Sequence, residues 1–278
     1  MKPLSYSTLG FEDRPIELAL EAIASAGFRQ VELLVHGPHL GAAPSGAALA
    51  SLRRRLETCG FTGRTVHAPL ERNVLGAPDE AWRREAVARL AGYVHLAGAI
   101  QASGIVIHPV PNPSLITRPD DPELSMHVAD AVRRSLDHLA PIAGQAGVRI
   151  LLENLPYRCH LPYLTMADLR PLVDDYPPEQ VGLVIDVGHA GTLRRDPAQE
   201  TYIAGNRLGG THLHDVDGDN PDDQHWPPTM GSLDWATIRA ALAEVGYAGA
   251  WTFEVACARY GETQEELARL TYRIAAAW

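Results

Sequence analysis

The stretch Val184-Ile185-Asp186-Val187-Gly188-His189 decides how this chain folds. A short apolar run ends in an aspartate, and a histidine follows three positions later. A second stretch of the same kind, Thr211-His212-Leu213-His214-Asp215, lies further along. Apolar runs without a polar–apolar alternation are typical of strands buried on both faces of a parallel sheet. Both stretches therefore predict a buried strand that ends in acidic and imidazole side chains.

The same strand signal alternates with helical periodicity along the whole chain. We predict strands over 2–9, 30–36, 64–68, 105–109, 149–154, 181–187, 210–214 and 250–255. Helices are predicted over 15–26, 45–59, 79–103, 122–145, 165–175, 197–205, 234–245 and 262–277. Eight such pairs predict one domain over residues 1–278, an α/β fold of the (β/α)8 TIM-barrel type, with an open doubly wound sheet as the alternative. No Gly-x-Gly-x-x-Gly follows a strand, which argues against a dinucleotide fold.

The composition narrows the class of protein. The chain has 278 residues, a net charge of −10 and three cysteines. This acidic balance gives no basic footprint for nucleic acid, so we expect no such partner. Three cysteines are too few for a disulfide framework, and we find neither a signal peptide nor an apolar run of ~20 residues. We therefore expect a cytoplasmic protein without a membrane span.

Histidines concentrate at one end of the predicted strands. Nine of the twelve fall at or just after a strand end: His36, His39, His67, His108, His160, His189, His212, His214 and His225. Active sites of barrels form at the carboxyl ends of the strands, so these residues are expected around one mouth. We interpret His36, His39 and His160 as ordinary loop residues. His214 is intermediate between a ligand and a loop residue, because it shares strand parity with His212 but lies one step further out.

Four ligand-type residues end four consecutive predicted strands. Glu153, Asp186, His212 and Glu254 end the fifth to the eighth, and strand parity lets each point into the mouth. A single acidic residue at such a place is usually a helix cap or a solvated loop residue. Four together, buried without a cation, would carry a large desolvation cost. The set therefore predicts a site for Mn²⁺, Mg²⁺, Co²⁺ or Zn²⁺.

Taken together, these residues resemble the xylose isomerase-like TIM-barrel superfamily, which includes sugar isomerases, sugar epimerases and apurinic endonucleases. The resemblance covers nearly the whole chain and is more specific for the superfamily than for the reaction. The matching pieces are Val66-His67-Ala68-Pro69, Ile107-His108-Pro109, Leu152-Glu153-Asn154, Ile185-Asp186-Val187-Gly188-His189, His212-Leu213-His214-Asp215, Asp223-Gln224-His225, Gly231-Ser232-Leu233-Asp234-Trp235 and Phe253-Glu254-Val255.

The resemblance implies two patterns of site. In the ketose 3-epimerase type, the positions of Glu153, Asp186, His212 and Glu254 hold one metal, and the two glutamates also move protons on opposite faces of the substrate. In the endonuclease type, three zinc ions use these four positions and five more, which match His67, His108, His189, Asp223 and His225.

The chain also departs from the pattern of the superfamily in two places. Met230-Gly231-Ser232 replaces the usual glycine-glutamate-glycine segment. Asp217-Gly218-Asp219 stands where many ketose 3-epimerases carry an arginine. Asp215, Asp217, Asp219 and Asp222 are interpreted as a solvated acidic loop. Phe11, Tyr157, Trp226 and Trp235 are candidates either for walls against a sugar face or for loop packing.

The leading hypothesis is a divalent-metal-dependent isomerase or epimerase of a sugar or keto-polyol. Glu153 and Glu254 would form the acid/base pair for proton transfer next to a carbonyl, through an enediolate. His108 and His189 would bind substrate hydroxyls. The alternatives are a metal-dependent dehydratase or lyase, a multi-zinc phosphodiesterase of the apurinic endonuclease type, and a non-catalytic sugar-binding protein. Substrate phosphorylation and a homo-oligomeric state stay open, although no Gly-rich phosphate cradle is evident.

Overall fold

Eight parallel strands form the centre of the computed structural model, which describes residues 2–37, 39–40, 44–220 and 222–278. The strands are β1 (Leu4–Ser7), β2 (Gln30–Leu34), β3 (Gly63–His67), β4 (Gly104–Ile107), β5 (Arg149–Glu153), β6 (Val181–Asp186), β7 (Leu208–His212) and β8 (Trp251–Phe253). All eight predicted strands are present. β7 begins two residues earlier than predicted, because Leu208 already pairs with Leu183 of β6.

The strands follow one another around a ring in the order β7-β6-β5-β4-β3-β2-β1-β8. β7 and β8 close this ring at their carboxyl ends, where Leu213 pairs with Phe253 in a parallel bridge. The Leu213 amide donates to the Thr252 carbonyl oxygen at 2.8 Å. Closer to the amino ends of the two strands, the Thr252 amide donates to the Thr211 hydroxyl at 3.1 Å instead of to a backbone carbonyl. The predicted (β/α)8 barrel is thus confirmed, and the open-sheet alternative is wrong.

Helices connect the strands on the outside of the barrel. They are α1 (Ile16–Ala26), α2 (Gly46–Thr58), α3 (Glu80–Ala99), α4 (Leu124–Ala146), α5 (Met166–Asp174), α6 (Val187–Thr192), α7 (Pro197–Ala204), α8 (Trp235–Glu244) and α9 (Gln264–Ala276). The sequence did not predict α6, which begins directly after β6. Within the described ranges, no helix has the length and apolar character needed to cross a membrane.

The short helix α6 depends on two residues of the stretch Val184-Ile185-Asp186-Val187-Gly188-His189. The Asp186 carboxylate caps it by accepting from the His189 amide at 2.7 Å. Gly188 lets it run against the His214 ring, because a Cβ at this position would lie 1.9 Å from the His214 Cε1 atom. The cap and the glycine together place His189 beside the mouth of the barrel.

Two faces of each strand carry different side chains. The outward faces pack with the helices in one large apolar core, to which Ile105, Leu152 and Leu183 belong. Inside the barrel, Val106, Leu151 and Val184 form a small separate cluster. Side chains two positions further along the same strands share this inward face, and these positions are His108, Glu153 and Asp186. The barrel therefore delivers the predicted ligand-type residues to one mouth.

Candidate active site

The carboxyl ends of β5 to β8 bring together Glu153, Asp186, His212 and Glu254. One potential ligand atom from each of the four lies within 4.8 Å of the others, and all four residues are buried. His212 Nδ1 is the centre of the group: it lies 2.9 Å from a Glu153 oxygen, 3.4 Å from a Glu254 oxygen and 3.7 Å from an Asp186 oxygen. This is a nitrogen and oxygen donor set of the kind that divalent metals take.

Glu153 also faces a second group of residues through its other oxygen. Glu153 Oε2 lies 3.3 Å from His67 Nε2 and 3.2 Å from His108 Nε2, while Oε1 faces His212. The carboxylate thus stands between two sets of imidazoles. In this position it has the geometry to bridge two neighbouring cations.

A third group lies on the opposite side of Asp186 and consists of His189, His214, Asp223 and His225. Asp223 Oδ2 lies 2.9 Å from His189 Nε2 and 2.8 Å from His225 Nε2. The His214 ring stacks on the His225 ring with centroids 4.0 Å apart, and its Nε2 lies 3.0 Å from Asp186 Oδ1. His214 therefore connects the third group to the first.

The ring nitrogens in these groups are oriented as in histidines that bind metals. His67, His189 and His225 each place Nδ1 2.8 Å from a main-chain carbonyl oxygen, which can only accept a hydrogen bond. The proton of the neutral ring is thereby fixed on Nδ1, and the lone pair of Nε2 points at a carboxylate. Such a contact is attractive only with a second proton or a cation between the two atoms. Donation from the distal nitrogen to a carbonyl is the usual support of a histidine ligand.

Two orphaned atoms support a cation at the third group in particular. His214 Nδ1 and Asp223 Oδ1 are buried, lie 3.8 Å apart, and have no hydrogen-bond partner among the described residues. An unpaired buried polar atom costs free energy, and a shared cation would satisfy both. The donor sets of the first and third groups therefore fit divalent cations.

The electrostatics follow from burial and from the close mixture of charges. Burial disfavours the Glu153 carboxylate, but His212 and the other imidazoles hold its pKa well below its usual range. Burial likewise opposes protonation of His225, yet Asp223 raises the pKa of its imidazole to about 9. Burial raises the pKa of Glu254 and lowers the pKa of His108. Opposite charges on neighbouring imidazoles and carboxylates thus stabilise each other in the site.

A cavity of about 210 Å³ opens above these groups. Part of its lining consists of ligand-type residues, which include His67, His108, His189 and Glu254. The rest of the lining is mainly apolar and consists of Leu9, Leu34, Leu70, Pro156 and Tyr157. The volume is below the about 300–1,000 Å³ that is common for drug-sized ligands, so the cavity suits a small molecule.

Seven of the nine predicted positions line this cavity, Asp186 and His212 are fully buried beside those that do, and the loop histidines lie outside it. His36 is partly exposed, and His39 is buried with Nδ1 2.7 Å from the Arg14 carbonyl oxygen. Sequence reasoning missed Glu32 of β2, whose Oε1 lies 3.0 Å from His212 Nε2. The sequence signal that could have identified Glu32 is a charged residue inside the apolar run of a buried strand.

One of the four loop aspartates is buried, and the other three are exposed. Asp217, Asp219 and Asp222 are exposed, as predicted, but the solvated-loop interpretation is wrong for Asp215. Its carboxylate is fully buried and accepts from the Trp235 indole at 2.7 Å and from the Val216 amide at 2.9 Å. It therefore fixes the start of α8.

Of the four aromatic residues considered as substrate walls, Tyr157 alone lines the cavity. Phe11 and Trp235 belong to the main core, which confirms packing for these two. The Arg259 guanidinium carbon lies over the Trp226 ring, 4.5 Å from the centroid of that ring.

Known proteins share this architecture. Among solved structures, one described as a D-tagatose 3-epimerase-like protein has a TM-score of 0.80 at 24% identity, with 100% of this chain and 96% of that chain covered. A D-psicose 3-epimerase solved with D-fructose has a TM-score of 0.83 at 19% identity, with 100% and 97% covered. These likenesses establish the fold.

Sequence comparison gives the family. An uncharacterized protein of Methanocaldococcus jannaschii is 25% identical over 248 residues, which are 89% of this chain and 82% of that protein. Residues 20–274 match the family model described as the xylose isomerase-like TIM barrel. This match spans most of the chain, and the protein therefore belongs to the xylose isomerase-like TIM-barrel family.

Proposed function

We propose that this protein is a divalent-metal-dependent isomerase or epimerase that moves a proton next to the carbonyl of a small sugar or keto-polyol. One observation carries the proposal: Glu153 and Glu254 converge with Asp186 and His212 within 4.8 Å, beside a small cavity. The similar solved structures are named as a D-tagatose 3-epimerase-like protein and a D-psicose 3-epimerase, and the proposal assigns a reaction of the same type.

The cation site would consist of Glu153, Asp186, His212 and Glu254. A bound Mn²⁺, Mg²⁺, Co²⁺ or Zn²⁺ would supply Lewis acidity toward a substrate oxygen. Glu153 and Glu254 reach the cavity from β5 and from the end of β8, so one carboxylate can take a proton from the substrate while the other returns one. His108 and His189 line the same cavity and would hydrogen-bond substrate hydroxyls. The apolar side with Tyr157 would cover the C–H face of the substrate and exclude water.

The test is exchange of carbon-bound hydrogen with solvent. Metal-loaded protein is incubated in D2O with a panel of unphosphorylated ketoses and keto-polyols, and the sugars are analysed by mass spectrometry. We expect one sugar to gain deuterium next to its carbonyl, and a loss of about 10²–10⁴-fold in rate in Glu153→Gln and in Glu254→Gln.

Glu200→Gln is the matched control, since Glu200 is equally buried but accepts from the Met166 amide away from the mouth. This control should exchange at the wild-type rate. No exchange with any substrate would contradict the proposal, and a product lighter by one water would identify the dehydratase instead.

A second candidate, a multi-zinc phosphodiesterase, is favoured by the position of Glu153 between two groups of imidazoles. Two cations bridged by a carboxylate can support in-line displacement at phosphorus. The exposed carboxylates Asp217, Asp219 and Asp222 beside the mouth oppose it, because they repel a phosphate backbone. Cleavage of an abasic-site duplex by Zn²⁺-loaded protein would support this candidate, and an intact duplex after long incubation would exclude it.

A further inference from the structure

Glu32 is a buried carboxylate for which the proposed reaction has no task. It lies in the middle of β2 and is 2% exposed. Its Oε1 lies 3.0 Å from His212 Nε2, and its Oε2 accepts from the Thr65 hydroxyl at 3.0 Å. Because burying a carboxylate is costly unless it is paired, its position requires a partner, and that partner is His212.

Glu32 and the other carboxylates meet opposite edges of the His212 ring. Nδ1 faces Glu153, Asp186 and Glu254, and Nε2 faces Glu32. Although the Nε2–Oε1 contact is short, its direction is not that of a hydrogen bond, and neither atom has another partner among the described residues. Each of the two atoms therefore has only the other to compensate for its burial.

This arrangement decides which nitrogen of His212 can bind a cation. A neutral imidazole carries its proton on one nitrogen and a lone pair on the other. A cation between Glu153, Asp186 and Glu254 needs the lone pair on Nδ1. An acceptor beside Nε2 favours the tautomer that leaves Nδ1 free.

We propose that Glu32 is a positioning residue that keeps the His212 proton on Nε2 and thereby holds Nδ1 ready as a metal ligand. This inference rests on the proposed cation site and adds to it a residue of β2. Thr65 would play a lesser part, because it fixes only the far oxygen of Glu32.

Glu32 acts from the side of the barrel away from the substrate. It does not line the 210 Å³ cavity, but it lines a cavity of about 390 Å³ at the amino end of the strands, together with Ser5, Thr65 and Thr252. A substitution of Glu32 therefore changes the support of the ligand without removing a contact to substrate. Its effect should appear in the affinity for the metal alone.

The experiment is calorimetric titration of metal-stripped full-length protein with Mn²⁺. We expect Kd to rise about 10–100-fold in Glu32→Gln and Glu32→Ala, as for other carboxylates that support a histidine ligand. Thr65→Val, which loses one hydrogen bond to Glu32, should raise Kd by about 2–10-fold. Glu200→Gln is the control for loss of a buried carboxylate elsewhere, and its Kd should equal that of the wild type.

A second measurement separates positioning from general damage to the fold. In the Zn²⁺-loaded wild type, ¹⁵N–¹H correlation should show a slowly exchanging proton on His212 Nε2, and this signal should be lost in Glu32→Ala. Unchanged Mn²⁺ affinity in both Glu32 variants, with the Nε2 proton still protected, would overturn the role of Glu32 and leave the cation site standing. A wild type that binds no Mn²⁺ would overturn the cation site itself.

Discussion

Asn154 offers a quantitative test of how the backbone holds the mouth of the barrel. It follows β5, and its side chain copies a strand ladder toward β6: Nδ2 donates to the Asp186 carbonyl oxygen at 2.9 Å, and Oδ1 accepts from the Asp186 amide at 2.8 Å. Both hydrogen bonds are buried. Asp186 is thereby fixed at the point where its carboxylate joins the proposed cation site.

The substitution Asn154→Ala removes both bonds at once. It leaves the buried Asp186 N–H without a partner, which costs about 1–3 kcal/mol, while the Asp186 C=O keeps its bond to the first turn of α6 and loses only the Asn154 bond, worth about 1 kcal/mol. We therefore expect the free energy of unfolding to fall by about 2–4 kcal/mol. Because Asp186 also loses its anchor, the affinity for Mn²⁺ should fall by about 10-fold or more.

The assay is urea unfolding in the presence of a chelator, followed by circular dichroism, so that stability is measured without the metal. Asn73→Ala is the matched control: the Asn73 side chain also makes two hydrogen bonds, to Leu70 and Arg89, but at the surface, where water replaces them. It should change stability by only about 0.5 kcal/mol. If Asn154→Ala unfolds at the same urea concentration as Asn73→Ala, the Asn154 side chain does not anchor Asp186.

Three further predictions concern the metal, the pH and the buried loop carboxylate. Removing the metal with a chelator should lower Tm, because free cation at 100 times its Kd stabilises by about 2.7 kcal/mol, and adding Mn²⁺ back should restore it; an unchanged Tm in calorimetry would count against a resident cation. The pKa of His225 is raised from 6.5 to about 9, so its proton stabilises the metal-free protein below about pH 6.5, and this stability is lost as the pH rises through about 9. The Tm of the metal-free protein should therefore fall from pH 6.5 to 9 in calorimetry, and a Tm that stays constant over this range would argue against the Asp223–His225 ion pair. Asp215→Asn should lower the free energy of unfolding by about 1–3 kcal/mol in urea titrations, because the buried carboxylate accepts from the Trp235 indole and two amides; a value equal to the wild type would show that these bonds do not fix the loop.

The strand ends were predictable because two simple rules agree there. An apolar run marks a buried strand, and parity decides which of its last residues points inward. For Glu153 and Asp186 both rules hold, so their convergence with His212 could be expected from the sequence. The carboxyl ends of parallel strands meet at one edge, which makes such a prediction independent of the helices.

Residues whose role depends on a single distant partner were not predictable in this way. Glu32 stands in the middle of its strand, and only the barrel closure brings it to His212, 180 positions away in the sequence. Asp215 follows a histidine-rich strand end and precedes exposed aspartates, yet it is buried under Trp235. In both cases the partner comes from another strand or from a helix, and no local pattern marks it.

The number of cations per chain distinguishes a single-cation isomerase from a multi-zinc phosphodiesterase. Protein purified without a metal-affinity tag is dialysed against trace Mn²⁺ and Zn²⁺, and its metal content is measured by mass spectrometry. We expect about one ion per chain in the wild type, and none in Asp186→Asn at the same free metal concentration. Two or three tightly held zinc ions per chain would contradict a single-cation isomerase and would favour the phosphodiesterase. A metal-free wild type would contradict both.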